Sequence, residues 1–346
     1  PSEVGFFNTP GSAVGVALTG NLAYVADWNT GLRIIDISDA ANTGQVGVYD
    51  MPSSAIDVAV AGDYAYVADG DDGLRIVDVS EHTSLSEVGF VDTEGWARGV
   101  AMAGQYAYVA DGGDGLRIID VTDPTAPIEA GFYDTPGNAY DVALAGNYAY
   151  VADMEGGLRI LDVSNPAAVS EVGFFNTPEW AFGVALDGNC AYVAAGSLRI
   201  IDVSDPAVPG EAGFFDTAGG GWDVAVTGGY AYVADGLSGL RIIDVSEPTA
   251  PTEAGFHETP DVARGVAVAG YYTYVADGSG GLRIIDASDS AAPAEVGFYD
   301  TPGHAAGVTL AGDYAYVADE HEGIVVLRFA PHNVYMPLLL RNSQGP

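Results

Sequence analysis

The chain has no lysine and a single cysteine, Cys190. All 11 basic residues are arginines, set against 48 acidic ones, so the formal charge is 11 − 48 = −37. Gripping a phosphate backbone needs a positive footprint, so nucleic acid is excluded as a partner, and a polybasic membrane anchor is excluded with it. One cysteine cannot close an intramolecular disulfide, so the fold must be held by its own core. No apolar run reaches the roughly 20 residues of a membrane-spanning helix, and no segment has helical periodicity. Nucleophile elbows, zinc-protease helices, phosphate loops and paired catalytic carboxylates are missing. A secretory leader is also missing: the chain opens inside a strand-like segment, Glu3-Val4-Gly5-Phe6-Phe7, which points to a mature or trimmed start.

What the chain does have is a repeat. Tyr-Val-Ala-Asp, or its variant Tyr-Val-Ala-Ala, begins at Tyr24, Tyr66, Tyr108, Tyr150, Tyr192, Tyr232, Tyr274 and Tyr316, spaced by 42 residues except for one interval of 40. The short interval comes from a trimmed loop, Ala195-Gly196-Ser197. Each copy reads as four short strands. In the fourth these are residues 141–145, the alternating Tyr148-Ala149-Tyr150-Val151-Ala152, residues 158–163 and residues 172–175. Gly146-Asn147 supplies a hairpin turn, and Pro166 breaks the pairing. Four strands in about 42 residues is the size of a propeller blade. The first residues read as a fourth strand, and the last repeat stops after a third, Ile324 to Phe329. The expected architecture is therefore all-β: an eight-bladed β-propeller of four-stranded antiparallel blades, closed by pairing the N-terminal strand with the last blade. Residues 1–330 form this single domain, and residues 331–346 are an apolar C-terminal tail.

The recurring Gly-Leu-Arg-Ile-Ile-Asp-Val-Ser, as at Gly239 to Ser246 and, ending in Thr122, at Gly115, resembles the LVIVD-repeat family of bacterial and archaeal propellers. That resemblance implies an exported or cell-surface protein and implies no common activity. Similarity to WD40 propellers is weaker, because Trp222-Asp223 opens a first strand instead of closing a third.

Copies within one chain separate constant from variable positions. Arg33, Arg75, Arg117, Arg159, Arg199, Arg241 and Arg283 share one slot, with Asp36, Asp78, Asp120, Asp162, Asp202, Asp244 and Asp286 three residues later. The expectation is an inter-blade arginine and carboxylate network. Variation concentrates in the loop leading into each first strand, within Thr-Pro-Gly-x-Ala-x. Trp96, Trp180 and His304 occupy the first variable slot; Arg98, Tyr140, Phe182, Trp222 and Arg264 occupy the second. Trp28 falls in the loop between second and third strands, on the same face. Aromatic rings with a few arginines suit stacking on a glycan or gripping a peptide, and these eight residues are the candidate ligand site. The bland alternative is that they plug the central funnel.

Asp69, Asp71 and Asp72 form a glycine-rich acidic loop of the kind that takes calcium as a cofactor, although such loops are usually turns alone. The pair His304 and His321 reads as solvated, and Cys190 as a small core residue. In the tail, Val334, Tyr335, Met336, Leu338, Leu339 and Leu340 are candidates for self-association by strand addition, which makes homo-oligomers or filaments. The leading functional expectation is a non-catalytic extracellular or cell-surface scaffold or adhesin with protein partners, its own copies included. The second is a glycan- or peptide-binding module on the aromatic face. A propeller hydrolase or lyase comes third.

Overall fold

The computed structural model describes residues 2–7, 11–28, 30–36, 44–81, 84–301, 303–311, 314–320 and 323–328. Its strands fall into eight four-stranded antiparallel sheets. Seven are each built from four consecutive strands, A to D, from blade 1 (residues 15–49) to blade 7 (residues 265–299). The eighth joins the two ends of the chain: A (His304–Ala311), B (Tyr314–Glu320) and C (Gly323–Arg328) are completed by Ser2–Phe7 as D. Strand A of each blade packs against strand A of the next, and that of blade 8 against that of blade 1, which closes a ring around a central axis. Among the described residues no helix is long and apolar enough to cross a membrane. The tail and its candidate self-association residues lie outside the described residues, as does His321.

The alternation that marks each strand as β also explains the ring. In a strand, successive side chains face opposite sides, and here both sides of strands B and C are covered by apolar neighbours. At the seam of blades 3 and 4, Tyr108, Leu116 and Ile118 from one blade meet Val142, Val151 and Leu161 from the other. The seam that closes the ring is built alike, with Tyr316 and Ala318 against Val25 and Ile35. Burying each Leu or Ile contributes about 1.5–3 kcal/mol, and no blade can collect it without two neighbours.

The N-terminal strand is a true fourth strand, as its register shows. Strand D of blade 3 carries a β-bulge, with Gly131 opposite Ile118 but Glu129 opposite Ile119. Ser2–Phe7 repeats it, with Gly5 opposite Val326 and Glu3 opposite Leu327. The outer edges of blades 2 to 6 are each covered by the next blade. A β-carbon on Gly131 would run into the carbonyl oxygen of Pro166, and Gly89, Gly173 and Gly213 meet Pro124, Pro206 and Pro248 in the same way. The proline loop of one blade thus blunts the strand edge of its neighbour.

Gly131→Ala is accordingly expected to cost about 1–3 kcal/mol, the usual penalty for overpacking. Gly146→Asn, at a turn with φ +58° and open space around the missing side chain, should leave the urea midpoint near that of the parent. Equal midpoints for both variants would show that the proline loops do not clamp the edges.

Candidate functional site

The constant arginines form their network inside each blade, not between blades, and their partners are not the aspartates three residues on. Residues three apart on a strand face opposite sides. Arg75 lies 3.8 Å from the fully buried Asp69, 3.3 Å from Asp72 and 3.0 Å from Asp92, all in blade 2. Its guanidinium is also stacked 4.5 Å from the ring centre of Phe90. Asp78, in contrast, accepts hydrogen bonds from the backbone N–H and hydroxyl of Ser80 (2.9 and 2.6 Å), which hold its carboxyl below the usual range. It caps a turn.

The fully buried carboxylate in this network is the aspartate of the Tyr-Val-Ala-Asp motif itself. Asp111 accepts from the hydroxyl of Thr93 and the N–H of Gly95, and Asp153 from Thr135 and Gly137. Burial still pushes both carboxyls up to about 6. In blade 2, Met51 stands where the threonine would be, and burial pushes Asp69 up to about 7. The calcium expectation is corrected here. Asp69 is turned inward to Arg75 and Asp72 pairs with the same arginine, while Asp71 is exposed. Among the described residues no cluster of metal-ligating side chains forms.

The variable loops meet on one face of the ring. In six blades the residue after the motif aspartate pairs as an isolated β-bridge with the loop entering the next blade, as Trp28 does with Ala55, Gly70 with Ala97, Gly112 with Ala139 and Met154 with Ala181. Trp28 therefore does share the face of the candidate site, 44% exposed. At the centre of this face is a cavity of about 560 Å³ on the axis, so the funnel is not plugged. All eight residues of the second variable slot line it: Val14, Ile56, Arg98, Tyr140, Phe182, Trp222, Arg264 and Ala306.

Their order around the ring sorts the wall. Blades 4 to 6 contribute a continuous aromatic shelf. Phe182 meets Tyr140 edge to face at 5.3 Å and is stacked on Trp222 at 4.7 Å. Trp180 meets Phe182 at 6.3 Å and is 55% exposed, so it extends the shelf outward. The wall opposite is small and aliphatic, from Ala306, Val14 and Ile56. Arg98 and Arg264 lie on blades 3 and 7, where the two walls join. The Arg98 guanidinium sits 5.1 Å from the Tyr140 ring centre and forms no ion pair among the described residues. Its Nε is buried without a hydrogen-bond partner. Three candidates fall outside the cavity lining: Trp180, on the outer end of the shelf, Trp96, half-buried beside Gly112, and His304, exposed on the rim near Asp261.

One layer below, three carboxylates line the channel that sequence reasoning missed: Asp57, Asp141 and Asp223, on blades 2, 4 and 6. Each staples its blade to the next, accepting from the N–H of Val100 (2.9 Å), Val184 (3.0 Å) and Val266 (2.9 Å). Burial raises all three and brings Asp141 to about 7, with Asp223 and Asp57 adding their repulsion. A signal was present, since the first residue of strand A runs Gly15, Asp57, Gly99, Asp141, Gly183, Asp223. Cys190 is half-buried, and burial followed by Asp202 and Asp187 pushes its thiol up, away from nucleophilic use.

The LVIVD repeat is matched eight times, over residues 10–51, 52–93, 94–135, 136–177, 180–217, 218–259, 262–301 and 302–327. The chain belongs to the LVIVD repeat family. Among solved structures, this LVIVD-repeat chain is similar to the computationally designed Ika8 protein, with a TM-score of 0.80 at 7% identity over 95% of this chain and 100% of that one. It is similar to BamB from Moraxella catarrhalis (TM-score 0.71, 14% identity, 92% and 94% covered). It is also similar to Chaetomium thermophilum Sqt1 bound to the N-terminus of the ribosomal protein L10 (TM-score 0.76, 14% identity, 94% and 99% covered). At such identities the likeness is one of fold. No curated protein matches the chain.

Asp69, Asp111, Asp141 and Asp153 bind their protons more tightly in the folded chain than at the ordinary carboxylate value. Between roughly pH 4 and pH 7 the native state therefore holds more protons than the unfolded chain, and its stability rises as pH falls. Relief of the charge of −37 acts in the same direction. The melting temperature is expected to climb from about pH 8 to about pH 5, as calorimetry can measure; a steady fall over that window contradicts this assignment.

Proposed function

We propose that this LVIVD-repeat propeller is a non-catalytic binding module whose axial pocket takes the anion-bearing end of a peptide or glycan. One observation carries the reading. The Arg98 cation is held on the Tyr140 ring beside an open aromatic shelf, with no ion pair among the described residues to neutralise it. A partly buried charge is costly unless paired, and a ligand carboxylate arriving there supplies the partner. The half-exposed Trp222 and Phe182 offer contact area at low entropic cost. A scaffold role through the tail has no comparable support, since the tail lies outside the described residues.

The non-catalytic part of the reading rests on how the pocket carboxylates are used. Both oxygens of Asp141 accept backbone N–H groups, from Val142 (2.8 Å) and Val184 (3.0 Å), and Asp223 is held likewise by Val224 (2.8 Å) and Val266 (2.9 Å). They serve as clamps between blades, committed to architecture. An extracellular working place remains part of the proposal, supported by the acid-rich, lysine-free composition.

Titrating tryptophan fluorescence with the dipeptide Gly-Phe and with a uronic-acid disaccharide tests the pocket. At least one is expected to quench the emission, and Arg98→Gln should weaken it by about ten- to a hundredfold, the worth of a charged hydrogen bond. The variant should melt close to the parent. Binding that survives Arg98→Gln and Phe182→Ala, with a large loss of stability in both, would assign these residues to packing.

A further inference from the structure

We infer, building on the pocket reading above, that the ligand is the free C-terminal end of a basic peptide, and that its upstream residues leave the pocket through a notch between blades 5 and 6. The notch follows from the trimmed loop. In blade 4 the turn from strand B to strand C is closed by the N–H of Asp153 donating to Gly157; in blade 5 the N–H of Ala195 donates to Ser197, two residues sooner. Among the described residues this shorter turn forms no counterpart of the bridge that Met154 makes to Ala181 or Gly236 to Ala263. The facing loop of blade 6 is reduced as well. It reads Ala218-Gly219-Gly220-Gly221, with Gly221 where the bridging alanine stands elsewhere, and a side chain on Gly220 would meet nothing. Among the described residues the junction of these two loops carries one hydrogen bond, from the Thr217 hydroxyl to the Gly196 carbonyl at 3.4 Å.

This gap opens beside the shelf. Trp222 follows the glycines at 38% exposure, and Trp180 stands on the other side at 55%. Next to Trp180 is Glu179, an exposed carboxylate lying against Gly196 of the short loop. The site therefore offers a guanidinium on the axis, aromatic rings along the way, and at the notch a carboxylate beside an exposed indole, which is where an ammonium or guanidinium group binds.

Charge decides between classes of chain. A protein at −37 repels a polyanionic glycan and attracts a cationic ligand. A neutral glycan leaves both Arg98 and Glu179 unpaired. A peptide with a terminal carboxylate and a lysine or arginine a few residues upstream satisfies both.

The test uses a panel of N-terminally labelled octapeptides with lysine at alternate positions and each residue type in turn at the free C-terminus, read by fluorescence anisotropy. The tightest member is then compared with its C-terminal amide and its last two residues alone, with cellohexaose as competitor. Amidation and Arg98→Gln should each weaken the octapeptide by about tenfold or more. Replacing Ala195–Ser197 with the five-residue Asp153–Gly157 loop, and separately Glu179→Gln, should weaken the octapeptide but leave the dipeptide unchanged. Octapeptide binding that responds to neither change, with the dipeptide still bound, overturns the notch and leaves the pocket reading standing. Displacement by cellohexaose with indifference to amidation overturns the peptide class. Failure of every peptide, dipeptides included, with the uronic-acid disaccharide still bound overturns the peptide class, and failure of the disaccharide as well removes the pocket reading with it. Glu179→Gln keeps the test decisive if the grafted loop does not fold.

Discussion

The interaction on which everything else depends is apolar contact between neighbouring blades. Strands B and C of each blade bury both faces, one in each adjacent seam, so a blade has no core of its own. Stability is a sum of seams, and an open ring would leave two apolar faces in water. The N-terminal strand answers this: by pairing with Gly323–Arg328 it locks first residues to last and leaves every seam covered. The bulge it shares with other outer strands shows that it occupies a repeat position, not an improvised patch.

Polar groups follow the same economy. Arg75, Arg117, Arg159, Arg241 and Arg283 each gather a buried aspartate and a carboxylate of the outer strand under a phenylalanine ring, all in one blade; Arg33 lacks the ring and Arg199 the buried aspartate. Besides the apolar seams, blades meet through single β-bridges on the upper face, the Asp57, Asp141 and Asp223 staples, the proline loops and side-chain contacts such as Tyr49 to Glu87. Because the scaffold asks so little of its upper loops, these are where the copies diverge. The pocket wall and the trimmed blade 5 loop are both products of that freedom.

Blade number, strand order, closure by the N-terminal strand and the face on which variation gathers were all legible in the sequence, because each copy restates the same local pattern of alternating side chains, hairpin turns and proline breaks. The second variable slot, from Arg98 through Tyr140, Phe182 and Trp222 to Arg264, was legible for the same reason: one position in a repeat maps to one position on a ring. The misreadings came from groups whose partners are set by three-dimensional neighbours. Arg33 and Asp36 look paired at three residues' distance, yet a strand sends them to opposite faces. Asp69, Asp71 and Asp72 look like a cation loop, yet the strand geometry buries the first against Arg75. Trp96, Trp180 and His304 sit two residues before the pocket slot, and the loop keeps them outside the cavity lining.

The sequence alone determined the period, and with it the all-β ring, since period and strand alternation are local properties that survive without any partner. Only the tertiary structure decided which charges are buried, that Arg98 rests on Tyr140 without an ion pair, that three aspartates staple alternate blades, and that blades 5 and 6 lack a bridge. Those facts depend on distances between residues some forty positions apart, and dielectric and hydrogen bonding are set by what surrounds a group in space, not by what precedes it in the chain.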